Sequence, residues 1–460
     1  MVDKEGLGTE SVGKLFVKLS IPSVLAMLIN LLYNVVDRMY IGHIENVGAD
    51  ALTGVGVTLP IIMFISAFAS LCGMGGAPKA AIKMGENDEE GANKILGNCL
   101  TLTVIVALIL TALFSIFSKD LLLAFGASYD TLPYALEYIN VYVIGTLFVM
   151  LSLGLNAFIT TQGFSKQAMM NVIIGAVANI ILDPIFIYGF NMGVKGAAIA
   201  TVISQAISAI IIIKFLVGRK TKLRITLMNL KMDSKVILPC IALGIAPFIM
   251  QSTESVLSIC FNTSLQKYGG DIAVGAMTIL TSLMGFAMMP LQGFTQGAQP
   301  IISYNYGAKK PERVKAAFKI LLVTCIVYSI MFWLIIMITP ETFASLFTDN
   351  KELIVYISWS ARVYMAVICL FGIQLACQQT FISLGNAPIS LFLALLRKVI
   401  LLIPLIYIVP QFTTDKCFGV FLAEPIADLI AVTTTLIMFL VVFKKTMGKI
   451  SINTTLETDK

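Results

Sequence analysis

Histidine is almost missing: His43 is the only one in 460 residues. That excludes a multi-histidine metal centre and most acid–base chemistry poised near neutral pH. Charge is scarce too. Asp, Glu, Lys and Arg make up 13% of the chain, about half the share usual in a soluble domain, so no water-facing shell can be built. No G-x-x-x-x-G-K-[ST] occurs, and GFNMGVKG (189–196) is only a superficial echo of one, so ATP has no phosphate loop to bind. Ser/His/Asp sets, H-E-x-x-H and C-x-x-C pairs are also absent. The eight cysteines, at 72, 99, 240, 260, 325, 369, 377 and 417, fall almost all within apolar runs. They read as small hydrophobes, not as disulfides or a metal site. Neither an enzyme nor a cofactor is expected.

What is present is hydrophobic: 58% of the residues. Apolar runs long enough to cross a bilayer as helices lie near 15–42, 51–76, 94–117, 133–160, 167–188, 194–217, 235–262, 272–298, 314–338, 355–384, 387–409 and 418–443. The expectation is an all-α integral membrane protein of twelve transmembrane helices. Basic residues collect after span 6 (Arg219, Lys220, Lys222, Arg224, Lys231, Lys235), after span 8 (Lys309, Lys310, Arg313, Lys315) and near the C-terminus (Lys444, Lys445, Lys449). By the positive-inside rule both termini are cytoplasmic. The net charge of +6 is thereby accounted for as a topology signal, and no nucleic-acid partner is expected.

The chain also repeats itself. Residues 77–96 align with 299–318, Pro22 with Pro247, Gly85 with Gly307 and Pro184 with Pro404. Two lobes follow, 1–225 and 226–460, each of six spans. An even number of spans makes the repeats parallel, related by an axis along the membrane normal.

Polar residues within these runs are the candidates for function. A carboxylate at a helix centre costs about 2.5–3.5 kcal/mol to insert, yet span 5 carries Asp183, with Asn179 one turn before it and Pro184 directly after. Asn179 and Asp183 share a helix face, and Pro184 withdraws a backbone donor beside the acid. Asp37, Asn156, Asn179, Asp183 and Thr201 are expected at one depth, an oxygen-rich set drawn from four helices of the first lobe. Such a set can hold a proton, because low dielectric and mutual repulsion favour the neutral acid, or can ligate Na+. The second lobe has Asn262 and Ile403 in the matching places, so the set is not duplicated. It carries instead Gln251 and Glu254, one turn apart, and the flexible thioethers of Met284 and Met288. With Asn34 these are expected to line a substrate cavity, although Glu254 could equally partner a basic group. Arg397 and Lys398 in span 11 face the depth of Glu424 and Asp428 in span 12, and Arg397–Asp428 is expected to be a structural ion pair.

The opening IPSVLAMLINLLYNVVDRMYIGH, the stretch NIILDPIFIYGFNMGVKGAAIATVISQ and PLQGFTQGAQPIISYNYGAKKPERV resemble the MATE (multidrug and toxic compound extrusion) exporters, prokaryotic members above all. The resemblance implies that Asp37, Asn179, Asp183 and Thr201 match the H+/Na+ site of the DinF-like branch, and that Glu254 matches the span 7 acid of NorM-like members. The span 10 acid of that branch is missing from VICLFGIQLACQQTFISLG (367–385), which favours coupling in the first lobe. It further implies two lobes in an outward-open V. The expected function is secondary active export of lipophilic, often cationic, small organic compounds across a plasma membrane, driven by inward H+ or Na+. A monomer is the expected unit. The alternative is a flippase for a lipid-linked glycan precursor.

Overall fold

The computed structural model describes residues 6–45, 47–345, 347 and 350–458, with side chains as far as 448. In hydrocarbon every backbone polar group must be satisfied within its own segment, which leaves the helix as the only solution for separate apolar runs. The chain accordingly folds as α1 (Gly6–Thr9), α2 (Val12–Gly42), α3 (Gly48–Gly85), α4 (Glu89–Ala124), α5 (Leu132–Ile144), α6 (Thr146–Thr161), α7 (Ser165–Pro184), α8 (Gly193–Val217), α9 (Ser234–Gly307), α10 (Pro311–Ile338), α11 (Pro340–Ser345), α12 (Lys351–Tyr364), α13 (Ile368–Ser383), α14 (Ala387–Leu395), α15 (Ile403–Phe412) and α16 (Lys416–Thr458). Strands are absent among the described residues.

Among the described residues nine helical stretches, with Ala387–Phe412 counted as one, are long and apolar enough to cross a membrane alone, and the pairs α5–α6 and α12–α13 each add one bent span. The 74-residue α9 breaks at Gly270, where φ is 62°, a conformation glycine adopts without strain, so it supplies two crossings. Twelve spans result, as expected from the sequence.

The irregularities come in pairs. Spans 4 and 10 bend by 58° and 48°. Spans 5 and 11 each open into a π-helical segment next to a proline: Ile185–Gly189 follows Pro184, and Leu396–Leu402 precedes Pro404. The same distortions at matching places mark one six-span backbone used twice.

The lobes meet at the end that carries the termini and the basic linker. There α3 and α9 approach backbone to backbone, Gly75 against the Cys240 carbonyl and Gly244 against the Leu71 carbonyl, where a Cβ would collide. Leu15, Phe16 and Leu19 of α2 share a core with Leu291, Ala298 and Ile301 of α9. Thr161 donates to Gln299 (3.0 Å), and Asn305 and Arg313 donate to the Leu7 carbonyl at 2.9 and 3.1 Å. Farther along, the contacts thin to Phe68 on Phe248 (ring centroids 4.8 Å), Gln251 to Ser70 (2.7 Å) and Ser255 to Met63 (3.7 Å). The linker is strapped to the first lobe: Gln162 accepts from the Thr221 hydroxyl and from the Lys222 and Leu223 amides, and Asn98 accepts from the Asp233 amide.

Candidate functional site

The first-lobe site is built on α7. Asn179 and Asp183, one turn apart, turn inward together, and Asp183 is 0% exposed. The Asn179 amide donates both to Asp183 Oδ1 (3.2 Å) and to Thr201 Oγ1 of α8 (3.4 Å). Buried Asp37 reaches in from α2, and its carboxyl interacts electrostatically with that of Asp183. Arg38, next along α2, is exposed, and among the described residues neither acid is ion-paired.

Three oxygens here are orphans. Asp37 Oδ1, Asn179 Oδ1 and Asp183 Oδ2 are buried with no hydrogen-bond partner. Leaving a buried polar atom unpaired costs about 1–3 kcal/mol, more when it is charged. Two carboxylates facing each other without a cation must share a proton or admit a positive ion. An all-oxygen set suits a hard cation and offers nothing to a soft metal. Among the described residues no group of three or more His, Cys, Asp or Glu side chains could hold a metal ion.

Asn156 does not belong to the set. It accepts from the Asn171 amide (3.2 Å) and donates to the Ala168 carbonyl (3.2 Å), two turns and more below Asn179. It sits five residues before the end of α6 at Thr161, whereas Asn179 sits fourteen residues beyond the start of α7 at Ser165. At about 1.5 Å per residue their depths differ by about 13 Å. Lying close to the lobe-joining end of its span, Asn156 cannot reach the level of Asn179.

Two tyrosines escaped the sequence reading. Tyr138 and Tyr142 of α5 are buried and stacked (5.9 Å between centroids), with Tyr138 beside Thr201. A pair of hydroxyl-bearing rings one turn apart was the available signal, but a ring in an apolar run passes for core.

The second lobe treats its charges differently. Arg397 Nε donates to Asp428 Oδ1 (2.6 Å), and its Nη2 donates to Glu424 Oε1 (2.9 Å); its guanidinium also lies over the Phe371 ring at 4.5 Å. Lys398 pairs with Glu254 of α9 and donates to the Met250 carbonyl (3.3 Å). Both cations stand in the π-helical segment Leu396–Leu402, so Arg397 turns toward α16 and Lys398 toward α9. Of the two roles expected of Glu254, cavity acid and partner of a basic group, the structure shows the basic partner. Of the other cavity candidates, Gln251 bridges the lobes through Ser70, which leaves it less free to line an open space. Asn34 is exposed and donates to the Asn30 carbonyl (2.6 Å), while Met284 and Met288 are half-buried against the second-lobe core.

Twelve spans in two like lobes, with unpaired acids buried in one of them, define a multi-pass membrane transporter. The sequence profile of the MatE family matches twice, over residues 22–185 and 247–408. The chain belongs to the MATE family. It is 24% identical over 423 residues to the multidrug export protein MepA of Staphylococcus haemolyticus, covering 92% of each chain, and 23% identical over 441 residues to MepA of Staphylococcus saprophyticus, covering 95% of this chain and 96% of that one. Its fold matches a crystal structure of a MATE protein in the bent conformation with a TM-score of 0.91 at 23% identity, covering 98% of this chain and 100% of that one. It also matches an outward-facing MATE-family multidrug resistance transporter with a TM-score of 0.90 at 24% identity, covering 97% and 99%.

Proposed function

We propose that this chain is a secondary active multidrug exporter of the plasma membrane, its termini cytoplasmic, antiporting lipophilic or cationic organic compounds outward against H+ or Na+. The observation that carries the coupling is the trio of orphaned buried oxygens on Asp37, Asn179 and Asp183. Both MepA proteins are named as multidrug exporters, which supports the substrate class.

Helix α2 links the site to the rest of the molecule. It packs on α7 of its own lobe and on α9 of the other, and it carries Pro22 near its lobe-joining end. With both acids charged, repulsion across about 4 Å amounts to about 4 kcal/mol at an effective dielectric of about 20, which drives the Asp37 end of α2 away from α7. A proton or Na+ arriving from outside cancels that repulsion and draws α2 back, closing the space the substrate used. One charge moving down 100 mV supplies about 2.3 kcal/mol, close to a fifty-fold concentration ratio at tenfold per about 1.4 kcal/mol. The flippase reading needs cations free to meet a pyrophosphate, and Arg397 and Lys398 are already held by acids.

The test is export of a fluorescent lipophilic cation from vesicles under a pH gradient and a Na+ gradient imposed separately. Wild-type protein should pump under one of them, and Asp37→Asn and Asp183→Asn should insert normally and not pump. Pumping by both variants at the wild-type rate would sink the mechanism.

A further inference from the structure

Arg397 and Lys398 are chain neighbours with opposite designs. The guanidinium of Arg397 has a carboxylate on each side and a ring against its face, and both of its acids are buried. Lys398 is buried as well, with 5% of its side chain exposed, but the Glu254 side chain that it holds is 57% exposed. A pair kept only for packing hides both members. This one leaves an edge of the carboxylate open.

The open edge faces the other lobe. On α9, Gln251, Glu254, Ser255 and Ser258 follow one another at helical spacing on one side, and Gln251 and Ser255 reach across to Ser70 and Met63 of α3. Exposed Val256 and Ile259 occupy a different side, the one suited to lipid. The charge count is also unbalanced. Glu254, Glu424 and Asp428 stand against Arg397 and Lys398, a cluster with one net negative charge when all are ionised. One monocation would balance it. Lys398 is not stranded when displaced, because the Met250 carbonyl already accepts from it and Glu424 lies near.

We propose that Lys398 is an internal stand-in for a cationic substrate: it holds Glu254 while the cavity is empty and yields it to a lipophilic monocation. The idea rests on the export reading above. It makes Lys398 a specificity-determining residue, setting a threshold that charged substrates must overcome and uncharged ones never meet. A bound cation exchanges one partner of Glu254 for another, and the returning ammonium helps to expel it.

Binding of tetraphenylphosphonium and of uncharged triphenylphosphine oxide to the full-length protein in lipid nanodiscs tests this. Lys398→Met should tighten tetraphenylphosphonium by about tenfold or more, the low end of coupling between close charge pairs, and leave triphenylphosphine oxide within about twofold. Lys398→Arg, which keeps the competitor, should stay near wild type for both probes. In Lys398→Met/Glu254→Gln, where no charge is left unpaired, the gain should vanish. Unchanged tetraphenylphosphonium affinity in Lys398→Met, or equal loss of both probes, would assign Lys398 to packing and overturn the inference alone. Wild-type protein that neither binds nor exports tetraphenylphosphonium overturns the cation-export reading with it.

Discussion

The two lobes share a backbone and differ in how they treat charge. Both bend at the fourth span, and both open into a π-helical segment beside a proline in the fifth. The first then buries Asp37 and Asp183 with no ion pair to either among the described residues, whereas the second surrounds Arg397 and Lys398 with three acids. Uncompensated buried acids respond to whatever positive ion arrives. Compensated ones hold their place unless a competitor displaces a partner. On the proposed reading the first lobe couples, and the second holds its shape and selects.

The sharpest way to break this comparison is to neutralise each lobe in turn. Asp183→Asn or Asp37→Asn should reduce gradient-driven export to background, while thermal unfolding of the purified protein stays as high as wild type or rises, because a buried repulsion has gone. A steep fall in stability would show these acids to be structural. Arg397→Leu should act the other way. It strands Glu424 and Asp428 and costs about 3–5 kcal/mol, read as a loss of thermal stability and of inserted protein. Adding Glu424→Gln and Asp428→Asn should restore most of it, and a mild effect of Arg397→Leu would undo the structural assignment.

Between these extremes lies the seam of the lobes. Gly244→Val forces a side chain into the Leu71 carbonyl and should cost about 1–3 kcal/mol by overpacking, with slowed transport. Normal transport would mean that the seam yields readily. The smallest effect is expected of Asn156→Ala. It loses its bonds to Asn171 and Ala168, about 0.5–1.5 kcal/mol each, and should leave the dependence of export on the driving ion unchanged. A shifted ion dependence would return Asn156 to the coupling set.

Much of this was legible before the fold. Twenty-residue apolar runs admit one secondary structure in hydrocarbon, so twelve spans could be counted even where α9 runs through Gly270. Asn179 and Asp183 were legible because helical spacing fixes their shared face and because a carboxylate in such a run needs a reason. Depth was less so. Asn156 was set level with Asn179, although it stands five residues from the end of α6 and Asn179 fourteen residues into α7. Tyr138 stayed hidden because its ring satisfies the same pattern as core. The pairing of Lys398 with Glu254, 144 residues apart, carries no periodic signal, and only the packing of α9 against the π-helical segment brings them together.

The most direct test of the division between the lobes is to record ion uptake and substrate efflux together in vesicles, for wild type, Asp183→Asn and Glu254→Gln. The account predicts that ion uptake accompanies efflux in wild type, vanishes in Asp183→Asn, and persists per substrate moved in Glu254→Gln even where cation affinity falls. Ion uptake that survives in Asp183→Asn and disappears in Glu254→Gln would place the coupling site in the second lobe and contradict it.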